Sequence, residues 1–286
     1  MSTIIDADAG ARFVRAVSRL LGWVYTLSWS ASFYPQPWLN WKRRSTEGLA
    51  IDFPVLNVLG FLCYSVSTCC FLYSPTIRRQ YAARHPASPE PTVQPNDVAF
   101  GVHAVILVIL TYSQFYSRLW GFQESAHQRV TRPVLAIVWG SLLAVAGMVV
   151  LMGYRSGLRE QDPMDWAWID VLYTLGYIKL VCTFVKYIPQ AFFNYKRQST
   201  EGWSILQILF DLTGGVLSVA QLIIDASFGG DWSGITGNPL KLGLANISMG
   251  FDLLFIVQHF VLYREREEIY KGSDEENDPE RPLLGR

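Results

Sequence analysis

Ionisable side chains stand inside the most apolar stretches of this 286-residue chain. Asp211 falls in the middle of the run Trp203–Ser227 and is followed by Gly214-Gly215. Asp252 lies near the centre of Lys241–Tyr263, with Lys241 at its start. Lys179 and Lys186 are seven residues apart in Trp168–Phe193 and share a helix face. Asp97 opens a further run, with His103 less than two turns on. A charge at the bilayer centre costs about 2.5–3.5 kcal/mol on insertion scales, so it is expected to face a cavity or a partner. One structural ion pair would account for two of these residues, not for the set. The chemistry they suit is binding and carrying ions. No nucleophile–base pair and no metal-ligand spacing is recognisable, so neither an enzyme, a metal nor a cofactor is expected. Cys63, Cys69, Cys70 and Cys182 lack CxxC spacing and read as small apolar fillers.

The elements that must position these groups are membrane spans. The chain has 24 basic and 24 acidic residues, a net charge of zero, which leaves no basic face for nucleic acid. Only 17% of residues are charged and 50% are hydrophobic, against roughly 25% charged in a soluble domain. The apolar residues come in runs near twenty, the length that crosses a bilayer. Seven spans are expected: Leu20–Trp41, Leu49–Tyr73, Val98–Trp120, Pro133–Gly153, Trp168–Phe193, Trp203–Ser227 and Lys241–Tyr263. Between them run basic or turn-rich loops, including a proline-rich one from Ser74 to Asn96. The first twelve residues carry Asp6, Asp8 and Arg12 without the apolar core of a signal peptide, and the first span reads as a retained signal anchor. An odd number of spans separates the termini. Lys42, Arg43, Arg44, Lys196 and Arg197 weight one side, which places residues 1–19 in a lumen and the polar tail, 264–286, in the cytosol.

The strongest feature is an internal repeat. Pro35-Gln36, Asn40, Lys42-Arg43 and Ser45-Thr46-Glu47-Gly48 recur as Pro189-Gln190, Asn194, Lys196-Arg197 and Ser199-Thr200-Glu201-Gly202, 154 residues later at every position. The same offset pairs Asn57 with Asp211 and Gly60 with Gly214. Four spans separate the units, so both cross in the same direction, the parallel arrangement of two three-helix repeats joined by a linker helix. The expected division is a first repeat at 20–120, a linker helix with its loops at 121–167, and a second repeat at 168–263. Pro35 and Pro189 each lack an amide hydrogen and free the carbonyl four residues back, Ala31 and Val185. In hydrocarbon such a carbonyl must be met by protein, water or substrate. Two kinks at matched positions suit hinges of a rocking, alternating-access device. A static kink that merely fits neighbouring helices is the plainer alternative.

Two Pro-Gln motifs in seven spans resemble the PQ-loop family, and the blocks Ser32-Phe33-Tyr34-Pro35-Gln36, Val185-Lys186-Tyr187-Ile188-Pro189-Gln190 and Asp211-Leu212-Thr213-Gly214-Gly215 resemble its cystine-transporting branch. That resemblance implies an all-α membrane protein of the SWEET type in a lysosomal or vacuolar membrane, moving L-cystine with a proton from the acidic lumen to the cytosol. By resemblance, Phe33, Gln36, Asn57, Lys186, Gln190, Asn194, Gln207, Asp211, Lys241 and Asp252 surround the substrate, with Gln207 where the family has Asn. Asp211, a lone acid whose repeat counterpart is uncharged, is the expected proton-coupling residue. Asp97 and His103 are candidates for a relay or second site, His103 reading equally as a packing histidine. A cationic amino acid or a sugar as cargo, or a non-transporting seven-span receptor or sorting protein, are the competing expectations. Leu283-Leu284 in the tail is a candidate contact for sorting machinery.

Overall fold

The computed structural model describes residues 2–86, 89–91, 93, 95–123, 129–156, 164–229 and 239–264. Among these residues there are helices and no strand. Helix α1 (Ser2–Ser32) runs through the residues expected to precede the first span and stops two residues before Pro35. Helix α2 (Pro35–Arg43) follows, then α3 (Asp52–Tyr73), α4 (Pro75–Arg84), α5 (Pro95–Ser113), the single turn α6 (Ser117–Trp120) and α7 (Arg132–Ser156). The second half holds α8 (Trp168–Val185), α9 (Tyr187–Arg197), α10 (Ile205–Gly229) and α11 (Pro239–Val257), the last running into a π-helical turn, Gln258–Leu262. The expected polar tail lies, beyond Arg264, outside the described residues, as do Leu283 and Leu284.

Asp52–Tyr73, Arg132–Arg155 and Trp168–Arg197 are long and apolar enough to cross a membrane, and Asp97–Ser113, Ile205–Gln221 and Asn246–Leu262 are shorter apolar helices. The first expected span is diluted by Trp, Tyr and Ser residues and is cut at Phe33-Tyr34. The third ends early: α5 stops at Ser113 because Gln114 turns inward, donating from Nε2 to the carbonyl of Pro37 at 2.9 Å. The proline-rich loop contains α4, which starts with Pro75 in its first turn and Ser74 as cap, its Oγ accepting from the Ile77 amide at 3.4 Å.

Both prolines lie where a missing N–H costs nothing. Pro35 is the first residue of α2, and Pro189 is in the first turn of α9. The first helix is interrupted at Phe33-Tyr34, whereas Lys186 keeps right-handed helical dihedrals (φ −53°, ψ −32°), so Trp168–Arg197 carries a kink rather than a gap. The Ala31 carbonyl accepts from the Tyr34 amide at 3.2 Å in a tight turn.

The two halves interlock. α1 packs along α10, and α3 packs along α8, so the first helix of each repeat lies on the second helix of the other. The third helices, α5 and α11, close each repeat against α3 and α10. Matched glycines permit the crossings: a Cβ on Gly214 would stand 2.5 Å from Trp29 Cδ1, and one on Gly60 3.1 Å from Cys182 Cβ. α7 packs mainly on α8 and presents Leu143 and Val150, 71% and 70% exposed, outward, as a lipid-facing linker does.

Candidate functional site

A cavity of about 350 Å³ lies where the two halves meet. Its wall obeys the repeat. Trp29 and Thr183, Ser32 and Lys186, Phe33 and Tyr187, Phe53 and Gln207, Asn57 and Asp211, and Tyr64 and Ser218 all line it, each pair 154 residues apart. The backbone frame is thus two-fold, but the chemistry is not. The first repeat contributes four aromatic side chains, two hydroxyl groups and an amide. The second contributes an ammonium, a carboxylate, an amide and three hydroxyl groups. The charges among these pairs come from one half.

Lys186 is the joint between α8 and α9, so the kink in the helix carries its side chain into the cavity. Its Nζ lies 4.4 Å from the centroid of the Tyr187 ring and 5.5 Å from that of Phe53. Two turns away on the same helix, Lys179 Nζ sits 3.6 Å over the Phe61 ring, also in the cavity wall. Neither ammonium makes an ion pair with a carboxylate among the described residues. Asp211 Oδ2 accepts from the Tyr187 hydroxyl at 2.7 Å, and Ser248 Oγ of α11 lies 3.2 Å from that same hydroxyl. Tyr187 is held rigidly: it is 1% exposed and packed among Phe53, Phe251 and Phe255. Asn57 Oδ1 is buried with no hydrogen-bond partner among the described residues. A buried carbonyl oxygen without a donor costs about 1–3 kcal/mol, so the site is built for something that brings one.

Asp252 stands behind this wall rather than in it. It is 1% exposed, one turn beyond Ser248, and neither carboxylate oxygen has a hydrogen-bond partner among the described residues. Its charge is close enough to act on both Asp211 and Lys186. Lys241 is in α11, but its side chain lies outside the described residues. His103 is not in the cavity wall. Its Nε2 pairs with the Tyr34 hydroxyl at 2.8 Å, and its ring meets Phe33 edge-on. Asp97 lies in the first turn of α5, six residues before it.

Gln36, Gln190 and Asn194, expected around the substrate, are spent elsewhere. Gln36 Nε2 donates to the Gly202 carbonyl and to Asn40 Oδ1, both at 2.9 Å, while its Oε1 accepts from the Ser204 amide at 2.8 Å. Gln190 does the same in reverse: Nε2 donates to the Gly48 carbonyl at 2.9 Å and to Asn194 Oδ1 at 2.8 Å, and Oε1 accepts from the Ala50 amide at 2.7 Å. Each glutamine thus satisfies loop backbone groups of the other repeat. The ring extends through Asn40 to Gln114 and through Asn194 to Gln258. Gly48 and Gly202 meet at its centre with φ of +98° and +84°, and a Cβ on either would stand 1.9 Å from the carbonyl of Glu201 or Glu47. Arg43 reaches across to Glu201 at 2.5 Å. This clasp ties together the loops that follow the two Pro-Gln pairs.

Three participants escaped sequence reasoning. Tyr187 was hidden as one aromatic among many, although its repeat counterpart is Phe33. Lys179 was expected to face a cavity or a partner but was not placed among the residues around the substrate. Ser248 carried no signal, since a serine in a span is ordinary.

Known proteins fit this architecture. The chain matches the PQ loop repeat family over residues 17–77 and 171–230, the two segments that hold the clasp. It is 41% identical over 260 residues to "Cystinosin" of Drosophila melanogaster, covering 91% of this chain and 62% of that protein. It is 36% identical over 264 residues to "Cystinosin homolog" of Dictyostelium discoideum, covering 92% of this chain and 87% of the relative. It is 30% identical over 254 residues to "Cystine transporter" of Saccharomyces cerevisiae, covering 86% and 94%. With paired PQ repeats, a cavity on the axis between them and relatives matched over most of their length, the chain belongs to the cystinosin family of PQ-loop membrane proteins.

Proposed function

We propose that this protein is a seven-span transporter that carries L-cystine, with a proton, from an acidic lysosome or vacuole to the cytosol by alternating access. The observation that carries the reading is the cavity's set of charges, two ammonium groups and a carboxylate that make no ion pair with one another. Cystine is two amino-acid zwitterions joined by a disulfide, so it needs cations for its carboxylates and oxygen acceptors for its ammoniums. Lys186 takes one carboxylate, with Asp211 and Asn57 beside it for the ammonium. Lys179, seven residues or roughly 10 Å along the same helix, takes the other end. Phe33, Phe53 and Phe61 receive the apolar disulfide middle. A cationic amino acid would meet two like charges here, and a sugar would leave all three unmatched. The relatives' printed names, which include "Cystine transporter", support the same cargo.

The proton is assigned to Asp211. Tyr187 donates to it while it is ionised. When it is protonated, its own hydroxyl becomes a donor, and the Tyr187–Ser248 pair must turn to accept. Because Tyr187 adjoins Lys186 at the α8–α9 kink, that rearrangement is felt at the joint above the clasp. The basic Pro-Gln end is placed in the cytosol, so the clasped form is the one closed to the cytosol. Uptake of labelled L-cystine into proteoliposomes tests the reading. Saturable uptake, not competed by arginine or glucose and with KM raised tenfold or more by Lys186→Met, is expected. Arginine flux without cystine flux would overturn it.

A further inference from the structure

A second hollow, of about 660 Å³, opens on the outer face of the protein beside the first helix break. That volume is within the range of roughly 300–1,000 Å³ typical of small-molecule sites. Pro35, Trp38 and Trp41 form one wall, Leu107 and Leu110 of α5 the second, and Leu206 and Phe210 of α10 the third. Gln114 reaches it too, but its amide is committed to Asn40 and to the Pro37 carbonyl. The hollow therefore offers water almost nothing to bond, and in a membrane its natural occupant is a hydrocarbon chain. The residues beside it are basic. Lys42 and Arg44 flank the lining Trp41 in sequence or contact, Arg44 lying 5.6 Å over its ring, and Arg118 is two residues before the lining Trp120; all three are exposed and none forms an ion pair among the described residues. Trp38 and Trp41, with ring centroids 5.0 Å apart, and Trp120 all line the hollow, the residue type that membrane proteins place at headgroup depth. The second repeat matches this rim only in part: Lys42 corresponds to Lys196, but Arg44 corresponds to Gln198.

We propose that this hollow is a site for one anionic phospholipid of the cytosolic leaflet, an acyl chain lying between α2, α5 and α10 and the phosphate held by Lys42, Arg44 and Arg118. The charge complementarity selects the headgroup, since the cytosolic leaflet carries anionic lipids that attract basic residues at the membrane surface. The position gives the site a consequence. Its walls come from both repeats and include the α1–α2 break, so the lipid wedges the surfaces that must slide if the clasp opens. The proposal rests on the placement of the Pro-Gln end in the cytosol, not on the identity of the cargo.

Native mass spectrometry of the full-length protein, titrated with palmitoyl-oleoyl phosphatidylglycerol and separately with the matching phosphatidylcholine, tests it. Each interfacial cation is worth about fivefold in affinity for an anionic lipid, so phosphatidylglycerol should bind at least tenfold more tightly, and Lys42→Gln/Arg44→Gln/Arg118→Gln should erase that preference. Leu206→Trp, which fills the hollow from an exposed position, should weaken both lipids; a thermal melt confirms that each variant is folded. Equal binding of the two lipids by the unaltered protein, or a preference for phosphatidylglycerol that survives the triple substitution, would overturn the headgroup assignment and with it the site. Lipid binding unchanged by Leu206→Trp would overturn the hollow as its location.

Discussion

Replacing Gln190 by alanine removes three hydrogen bonds that no other side chain can supply. The Ala50 amide, the Gly48 carbonyl and Asn194 Oδ1 lose partners at 2.7, 2.9 and 2.8 Å. Gln190 and Asn194 are both 0% exposed, so water does not replace the lost groups freely. Each buried group left unpaired costs about 1–3 kcal/mol. Counting only the two backbone groups, the loss is roughly 2–6 kcal/mol, and 1.4 kcal/mol is tenfold in an equilibrium. Two of the bonds cross from one repeat to the other and exist only while the loops meet. The penalty therefore falls on the clasped form and should shift its equilibrium with an open form by a factor of about thirty or more. The assay is the distance between spin labels on Lys42→Cys and Lys196→Cys, both exposed, in a protein whose four native cysteines are replaced. The unaltered clasp should give one short distance, and Gln190→Ala or Gln36→Ala a population displaced to longer ones. Gln190→Glu keeps an acceptor for the Ala50 amide but loses the donors, and should fall between. Distance distributions that do not change in either alanine variant would refute the reasoning.

Two further outcomes follow from the same geometry. Gly202→Ala sets a Cβ against the Glu47 carbonyl at a left-handed φ, so it should cost at least about 1–3 kcal/mol and lower the melting temperature, whereas Thr213→Ala on an exposed face should not; an unchanged melt of Gly202→Ala would contradict the close packing of the loops. Tyr187→Phe removes one hydrogen bond to a carboxylate, worth about 1.5–3 kcal/mol, so it should lower the melting temperature and also shift the pH profile of cystine uptake; an unmoved profile would detach Tyr187 from the proton step.

Much of this architecture is legible from one number, the 154-residue offset. Applied to Pro35-Gln36 and the Ser-Thr-Glu-Gly loops it finds the repeat, and applied to Asn57 it finds Asp211. Carried on to Lys186 and Tyr187 it would have reached Ser32 and Phe33, which share the cavity wall. What the offset does not show is where a side chain ends. Gln36 and Gln190 are polar, central and repeated, which is equally the pattern of a substrate ligand and of a loop clasp. The distinction depends on backbone groups of Gly48, Ala50, Gly202 and Ser204, which carry no sequence signal. The third helices also keep a different spacing: α5 and α11 begin at Pro95 and Pro239, 144 residues apart, so the repeat cannot be extended to Ser248 or Asp252 by the same step. The interruption and the kink were legible as proline, but not their position, because a proline bends a helix in its interior and only starts one in its first turn. The outer hollow had no sequence signal, being made of apolar residues from three separate helices.

The central claim, that Asp211 couples a proton to cystine movement through this cavity, is tested most directly by accumulation. Proteoliposomes with a fixed internal concentration of labelled L-cystine are given a proton gradient of two pH units. Such a gradient supplies roughly 2.7 kcal/mol per proton, from 1.36 kcal/mol per unit, enough for about a hundredfold accumulation with one proton per substrate. The unaltered protein should move cystine uphill along the proton gradient. Asp211→Asn, which keeps the side-chain shape and an acceptor for Tyr187, should exchange cystine down its own gradient but fail to concentrate it. An Asp211→Asn protein that still concentrates cystine on a proton gradient alone would contradict the account.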